Sequence, residues 1–167
     1  MKNIKLILAG LGLLVVFSLS VTAQTNLTSL DGAKVNVEGQ QGKIVVLAIG
    51  ASWLPLSKDQ AVITNKLAKK YAGKDVAIYF VATDSSNAKS KNYASNEDLT
   101  AFATRNKLNV SVLRDSDGAG TLKKFGVDQL PSFVVLDKNG KVAEVFGGID
   151  PKNDATLTIS QMIDKLL

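Results

Sequence analysis

Two stretches of the chain, Lys43 to Gly50 and Val76 to Ala82, are rich in β-branched and apolar residues without a polar–apolar alternation. Short runs of this kind predict strands covered on both faces. Between them the period changes. Val62, Ile63, Leu67, Ala68 and Tyr71 recur at helical spacing within Lys58 to Ala72, lysines fill the last turn, and Gly73 supplies the stop. The order strand–helix–strand predicts a parallel crossover. The rest of the chain is punctuated by shorter signals. Thr25 to Gln41 is polar and loop-like, with a turn at Ser29-Leu30-Asp31-Gly32 and a short alternation over Lys34 to Val37. Ser85 to Asn96 is polar and is expected to form a mobile surface loop. Ser95 and Asp98 have the spacing of a capping box for a helix carrying Leu99, Phe102 and Ala103.

Val110 to Leu113 predicts a short extended piece, and Asp115 to Phe125 a turn with a brief helix that buries Leu122 and Phe125. Strands over Ser132 to Leu136 and Val142 to Phe146 are joined across Asp137-Lys138-Asn139-Gly140, where Asn-Gly marks a hairpin. Asp154 is placed to cap a last helix with Leu157, Ile159, Met162, Ile163 and Leu166 apolar. No internal repeat breaks this order, and it describes one α/β domain.

The N-terminus stands apart from it. Lys2 and Lys5 precede an apolar run from Leu6 to Val16, and Val21-Thr22-Ala23 follows with small residues at the spacing a signal peptidase accepts. The expectation is a signal peptide over residues 1–23 and a domain over 24–167; the alternative is an uncleaved anchor, against which Gly10, Gly12, Ser18 and Ser20 weigh. The domain is therefore expected to be exported, to the periplasm or cell envelope or beyond it, without membrane insertion after cleavage.

Composition removes whole classes of chemistry. The 167 residues include no cysteine and no histidine. Thiolate nucleophiles, disulfides and thiol metal ligands are absent, and so is the side chain that most often acts as a base near neutral pH. The formal net charge of the whole chain is +5, and the leader accounts for part of it through Lys2 and Lys5. No arginine-rich stripe with interleaved aromatics suggests a nucleic-acid partner.

Local residues sharpen the fold class. The strand ending at Gly50 runs through Ala51-Ser52-Trp53-Leu54-Pro55-Leu56-Ser57 into a helix. This resembles the strand–W-C-x-x-C–helix start of thioredoxin-like proteins, and most closely the W-C-P-P-C form of the TlpA/ResA group and its AhpC/TSA relatives. Phe125-Gly126-Val127-Asp128-Gln129-Leu130-Pro131, followed by a strand and the Asp137 to Lys141 hairpin, is similar to the same group's G-V-x-x-x-P segment. Leu30-Asp31-Gly32 is similar to its entry segment. The resemblance implies a thioredoxin-like fold, a central mixed sheet of four or five strands flanked by helices on both faces. It also implies a cis peptide bond before Pro131, opposite the motif, and a thiol-disulfide oxidoreductase or peroxidase ancestry.

The departure falls on the reactive positions. Cysteines flank the pair matched by Pro55 and Leu56 in redox-active relatives; here the flanking residues are Leu54 and Ser57. Leucine has no ionisable group, and a serine hydroxyl has no accessible anion near pH 7. Thioredoxins proper also bury an acid where this chain has Ala48. Trp53, Leu54, Pro55, Leu56 and Ser57 thus form a degenerate redox motif with no catalytic residue and no cofactor or metal expected.

Other candidates have plainer explanations. Ser57 is expected to cap the helix it begins, rather than act as a nucleophile. Asp115-Ser116-Asp117-Gly118 looks like part of a calcium loop but lacks the closing glutamate, so turn chemistry is expected. Asp84 is expected to be a turn or cap residue. Asn26-Leu27-Thr28 and Asn109-Val110-Ser111 match a glycosylation pattern too short to carry weight alone.

The surface of Trp53, Leu54, Pro55, Leu56, Leu130 and Pro131, with Gly147 and Gly148 nearby, is expected to gather at one place. In active relatives the backbone before the proline pairs with an extended substrate, a function that needs no thiol and that Leu130 could retain. Three functions follow as expectations. The first is a polypeptide-binding, assembly or chaperone-like module using Trp53, Leu54, Leu130 and Pro131, with an exported or envelope protein as partner. The second is an enzyme of altered chemistry, and the third a purely structural domain.

Overall fold

The computed structural model describes residues 25, 27–115 and 118–167. The leader expected over residues 1–23, Asn26 of the first glycosylation pattern, and Ser116 and Asp117 lie outside the described residues. The elements in chain order are β1 (Leu27–Ser29), β2 (Lys34–Val35), β3 (Ile44–Gly50), α1 (Ser57–Lys70), β4 (Val76–Ala82), α2 (Asn96–Arg105), β5 (Ser111–Asp115), α3 (Gly118–Phe125), β6 (Ser132–Leu136), β7 (Val142–Gly147) and α4 (Ala155–Leu166).

The strands form one sheet in the order β2-β1-β5-β4-β3-β6-β7. β3 pairs in parallel with β4, and β4 with β5; β6, β7, β1 and β2 join antiparallel. The sheet has seven strands, not the four or five expected. The difference lies mainly at the β1–β2 edge, where a three-residue and a two-residue strand are too short to show a period. Only Leu27 of β1 is fully buried.

The uninterrupted apolar runs lie where they should. All seven residues of β3 are buried at the centre of the sheet. Ile44, Val46 and Ala48 face one core with Phe80, Phe133, Ile63, Leu67, Leu99, Phe102, Ile159 and Ile163, so α1, α2 and α4 cover that side. Val45, Leu47 and Ile49 face the other core with Leu113, Val134, Leu136 and Phe125 of α3. Each large side chain buried this way contributes about 2 kcal/mol of apolar transfer. The helical stripes are narrower than the pattern suggested. On α1, Gln60, Ala61 and Thr64 turn inward while Val62 is 47% exposed, and on α4 Leu157 is 64% exposed.

Helix ends follow the local chemistry. Ser95 accepts from the Asp98 amide and Asp98 accepts from the Ser95 amide, completing the capping box of α2. Asp154 accepts from the Thr156 amide at the start of α4. The segment after β4 is not a free loop. Ser85 bridges to Tyr93, the Ser85 amide donates to the Asn92 carbonyl, and Ala94 is buried and donates back to Ser85. In the β6–β7 turn Gly140 has φ +76°, and a Cβ there would lie 2.1 Å from the Glu38 carbonyl oxygen. Glycine is needed at that turn for both reasons.

Parallel packing of α1 and α4 is reinforced by Lys66–Asp154 (3.2 Å) and Lys70–Asp164 (2.9 Å). The buried Tyr71 hydroxyl also reaches Asp164, at 2.8 Å. The Lys70 ammonium, and then the Tyr71 hydroxyl, hold the Asp164 carboxyl below its ordinary value of 3.8. A carboxyl depressed in the folded state adds stability above its unfolded pKa and loses it as the pH falls through the folded one. Urea midpoints should therefore drop below about pH 4, and more shallowly in Asp164→Asn; identical acid slopes in the two proteins would contradict this linkage.

Candidate functional site

Strand β3 ends at Gly50, and the chain turns through residues 51–56 before entering α1. Successive backbone bonds build the turn: Leu54 N–H to Ala51 O (3.1 Å), Ser57 N–H to Leu54 O (3.1 Å) and Gln60 N–H to Leu56 O (2.9 Å). The turn is anchored from the neighbouring strand. Asp84, just beyond β4 and 2% exposed, accepts from the Ser52 amide (2.9 Å) and the Ser52 hydroxyl (2.6 Å). Thr83 donates its amide to the Gly50 carbonyl (2.8 Å). Asp84 is a buried anchor for the loop, a stronger role than a turn or cap.

Arg114 on β5 secures the segment behind Asp84. Its guanidinium, 9% exposed, donates to the Ala94 carbonyl (2.8 Å), the Asn96 side chain (3.0 Å) and, weakly, the Asp84 carbonyl (3.4 Å). Buried polar groups at these positions are stable because each finds partners.

Gln60 ties the loop to the other neighbour of β3. Its side chain is fully buried, and its amide nitrogen donates to Ile49 O (3.1 Å) and Ser132 O (2.8 Å). The Gln60 carbonyl oxygen has no partner among the described residues and packs against Gly50, where a Cβ would lie 2.2 Å away. Gly50 is thus a close-approach glycine. A glycine closing a β-branched strand is a usable sequence signal for such contact, but nothing in the sequence marked Gln60 or Arg114 as its counterparts.

The register brings the second half of the site alongside. Ile49 pairs with Ser132, and Ser132 with Gly147. Pro131 therefore lies level with Gly50, at the end of the sheet from which the 51–56 turn departs, and the Leu130–Pro131 bond is cis. Gln129 packs over Gly147, within 2.7 Å of where a Cβ would be.

The expected patch is assembled only in part. Trp53 is 57% exposed, Pro55 is exposed and Leu54 is half-buried. Leu56 packs against the core beneath α1, whereas Leu130 packs against the opposite core, and Pro131 is buried. Leu56 is thus a core-facing residue. Chain geometry explains this: Leu56 is the residue that caps α1 and must follow the helix down onto its buried face.

Ser57 departs from expectation too. Its side chain caps no backbone N–H; the hydroxyl is fully buried and donates to Ala51 O at 2.6 Å. A hydroxyl committed to a carbonyl, out of solvent and with no base bonded to it, is not poised for attack. At the calcium-like turn, Asp115 accepts from the Thr121 hydroxyl (2.9 Å), and no cluster of three metal-ligating acids occurs among the described residues. Asn109, in the second glycosylation pattern, is exposed before β5 and its amide donates to Asn65.

Removing the Asp84 carboxylate should loosen the loop without touching the core. Asp84→Ala is expected to cost about 1–3 kcal/mol in urea denaturation and to speed amide exchange at Ser52 and Trp53. An unchanged midpoint with unchanged exchange at both amides would overturn the anchoring role.

Comparison with known proteins places this arrangement. The family model described as Redoxin matches residues 18–162. A thiol-disulfide oxidoreductase ResA of Bacillus thuringiensis subsp. konkukian is 29% identical over 125 residues, covering 75% of this chain. The match spans 66% of that relative, just under two thirds of its length. An exposed lipoprotein thioredoxin from Streptococcus pneumoniae superposes with a TM-score of 0.68 at 26% identity, covering 86% of this chain and 100% of its own. A secreted disulfide oxidoreductase of Mycobacterium tuberculosis superposes with a TM-score of 0.65 at 22% identity, covering 86% and 96%, and shows the fold alone. The seven-stranded sheet, the strand–loop–helix at Gly50 to Ser57 and the match across most of the sequence have one meaning: this cysteine-free chain belongs to the Redoxin family, within the thioredoxin-like fold.

Proposed function

We propose that this protein is an exported, redox-silent polypeptide-binding module, serving assembly or chaperone-like ends through the surface around Trp53, Leu54, Leu130 and Pro131. The observation that carries the proposal is the contrast between scaffold and reactive positions. The loop from Ala51 to Ser57 is held by Asp84 and Gln60, and the cis bond before Pro131 stands level with it. Positions 54 and 57, by contrast, hold a half-buried leucine and a buried serine bonded to a carbonyl. Thiol–disulfide exchange requires a thiolate, and this chain has no cysteine.

What remains at the surface is apolar and accessible. Trp53 and Pro55 face solvent, and exposed apolar groups that a fold keeps beside a groove are suited to a partner. The backbone before Pro131 offers hydrogen-bonding groups to an extended segment. Export is supported by the basic, apolar and small-residue order of the first 23 positions. It is further supported by relatives described as an exposed lipoprotein and as a secreted oxidoreductase.

A photo-crosslinker at Leu54 should yield polypeptide adducts in living cells, with none from the same group at Asn139 in the β6–β7 turn. The purified protein should show background rates in insulin-reduction and peroxide-consumption assays. Adducts equally abundant at both positions, or thiol-dependent turnover above background, would count against the proposal.

A further inference from the structure

The segment from Ser85 to Tyr93 extends the candidate surface beyond the groove and gives it a charge. Asp84 grips Ser52, the residue before Trp53, while Ser85, the residue after Asp84, bridges to Tyr93. Trp53 and Tyr93 are thereby carried on two segments pinned to a single buried carboxylate. They are the two exposed aromatic side chains among the described residues, at 57% and 42%. Tyrosine and tryptophan offer large, rigid contact area at low entropic cost, the type of side chain that dominates binding energy.

The charge is one-sided. Ser85 to Tyr93 contains Lys89 and Lys91 and no acid. Lys58, in the first turn of α1, is a third exposed lysine at this end of the molecule. None of the three is in an ion pair among the described residues, whereas Lys66, Lys70 and Lys124 elsewhere each have one. Acids do occur nearby in the chain. Asp84 is buried and committed to Ser52, Asp59 is half-buried in α1, and Asp128 is exposed before Pro131. They leave the Ser85–Tyr93 segment uncompensated.

From this arrangement we infer that the partner segment is an acidic, extended polypeptide, seated on Trp53 and Tyr93 with its carboxylates toward Lys89 and Lys91. The inference rests on the polypeptide-binding reading above and adds the chemistry of the ligand. Charge complementarity of this kind selects partners and speeds their encounter more than it adds affinity. An anionic lipid surface would also meet exposed aromatics and lysines. The groove with a cis-proline backbone beside Trp53 favours a chain that can lie extended in it.

Trp53 is the sole tryptophan, so its emission reports on this surface directly. Protein purified from cells making the full chain is titrated with short synthetic peptides alternating leucine with glutamate, glutamine or lysine, and with phosphatidylglycerol vesicles. The glutamate peptide should bind roughly fivefold more tightly than the glutamine one, the size expected of two exposed charge pairs. That preference should disappear at about 0.5 M salt and in K89E/K91E, while Tyr93→Ala weakens both peptides alike. The K89E/K91E affinity for the glutamine peptide should stay within about twofold, which shows that the surface is still folded. Equal affinity for the three peptides, or a preference untouched by K89E/K91E, overturns the acidic assignment and leaves polypeptide binding standing. A Trp53 response to vesicles without one to the glutamate peptide overturns it in favour of lipid. No response to any peptide or vesicle overturns both this inference and the reading beneath it.

Discussion

The buried carboxylate of Asp84 and the buried amide of Gln60 fix the loop at the end of β3 from its two sides. One carboxylate takes the amide and hydroxyl of Ser52 from the β4 side. One amide nitrogen bridges the carbonyls of Ile49 and Ser132 from the β6 side. The loop needs such anchors because it leaves a fully buried strand with backbone groups that no ladder can satisfy. Removing either anchor strands buried polar atoms, a cost of about 1–3 kcal/mol each. The pose of Trp53, the level of Pro131 and the position of Tyr93 all follow from these two side chains. No covalent link contributes, since the chain has no cysteine.

Much of the architecture was legible because it depends on local rules. The apolar runs of β3 and β4, the capping box at Ser95, the Asp154 cap and the hairpin at Gly140 all sit where propensity and turn chemistry put them. What escaped depends on contacts distant in sequence. β1 is three residues long and exists because β5 lies beside it, so no period within Leu27–Ser29 announces it. Gln60 reads on the page as one polar residue in a helix; its partner Ser132 is 72 positions away. Ser57 was legible as a helix-start residue but not as a buried one, because its acceptor at Ala51 exists only after the loop has folded.

The same distinction applies to the site. The absence of thiols at positions 54 and 57 was evident from the sequence and decides what the protein cannot do. The shape that survives was not evident, and it separates Leu56, turned into the core, from Leu54 at the surface. A site with its nucleophile removed but its supports retained is the arrangement expected when a fold keeps its groove for recognition alone. Stability would not by itself maintain Trp53 with 57% of its surface in water.

The account turns on whether that surface is occupied. Amide hydrogen exchange of the purified protein, with and without a solubilised cell-envelope extract, measures this at single residues. Occupation predicts slowed exchange at the amides of Trp53 and Leu130, with the amide of Asn139 in the β6–β7 turn unchanged. Unaltered exchange at Trp53 and Leu130, or protection confined to the region of Asn139, would contradict it.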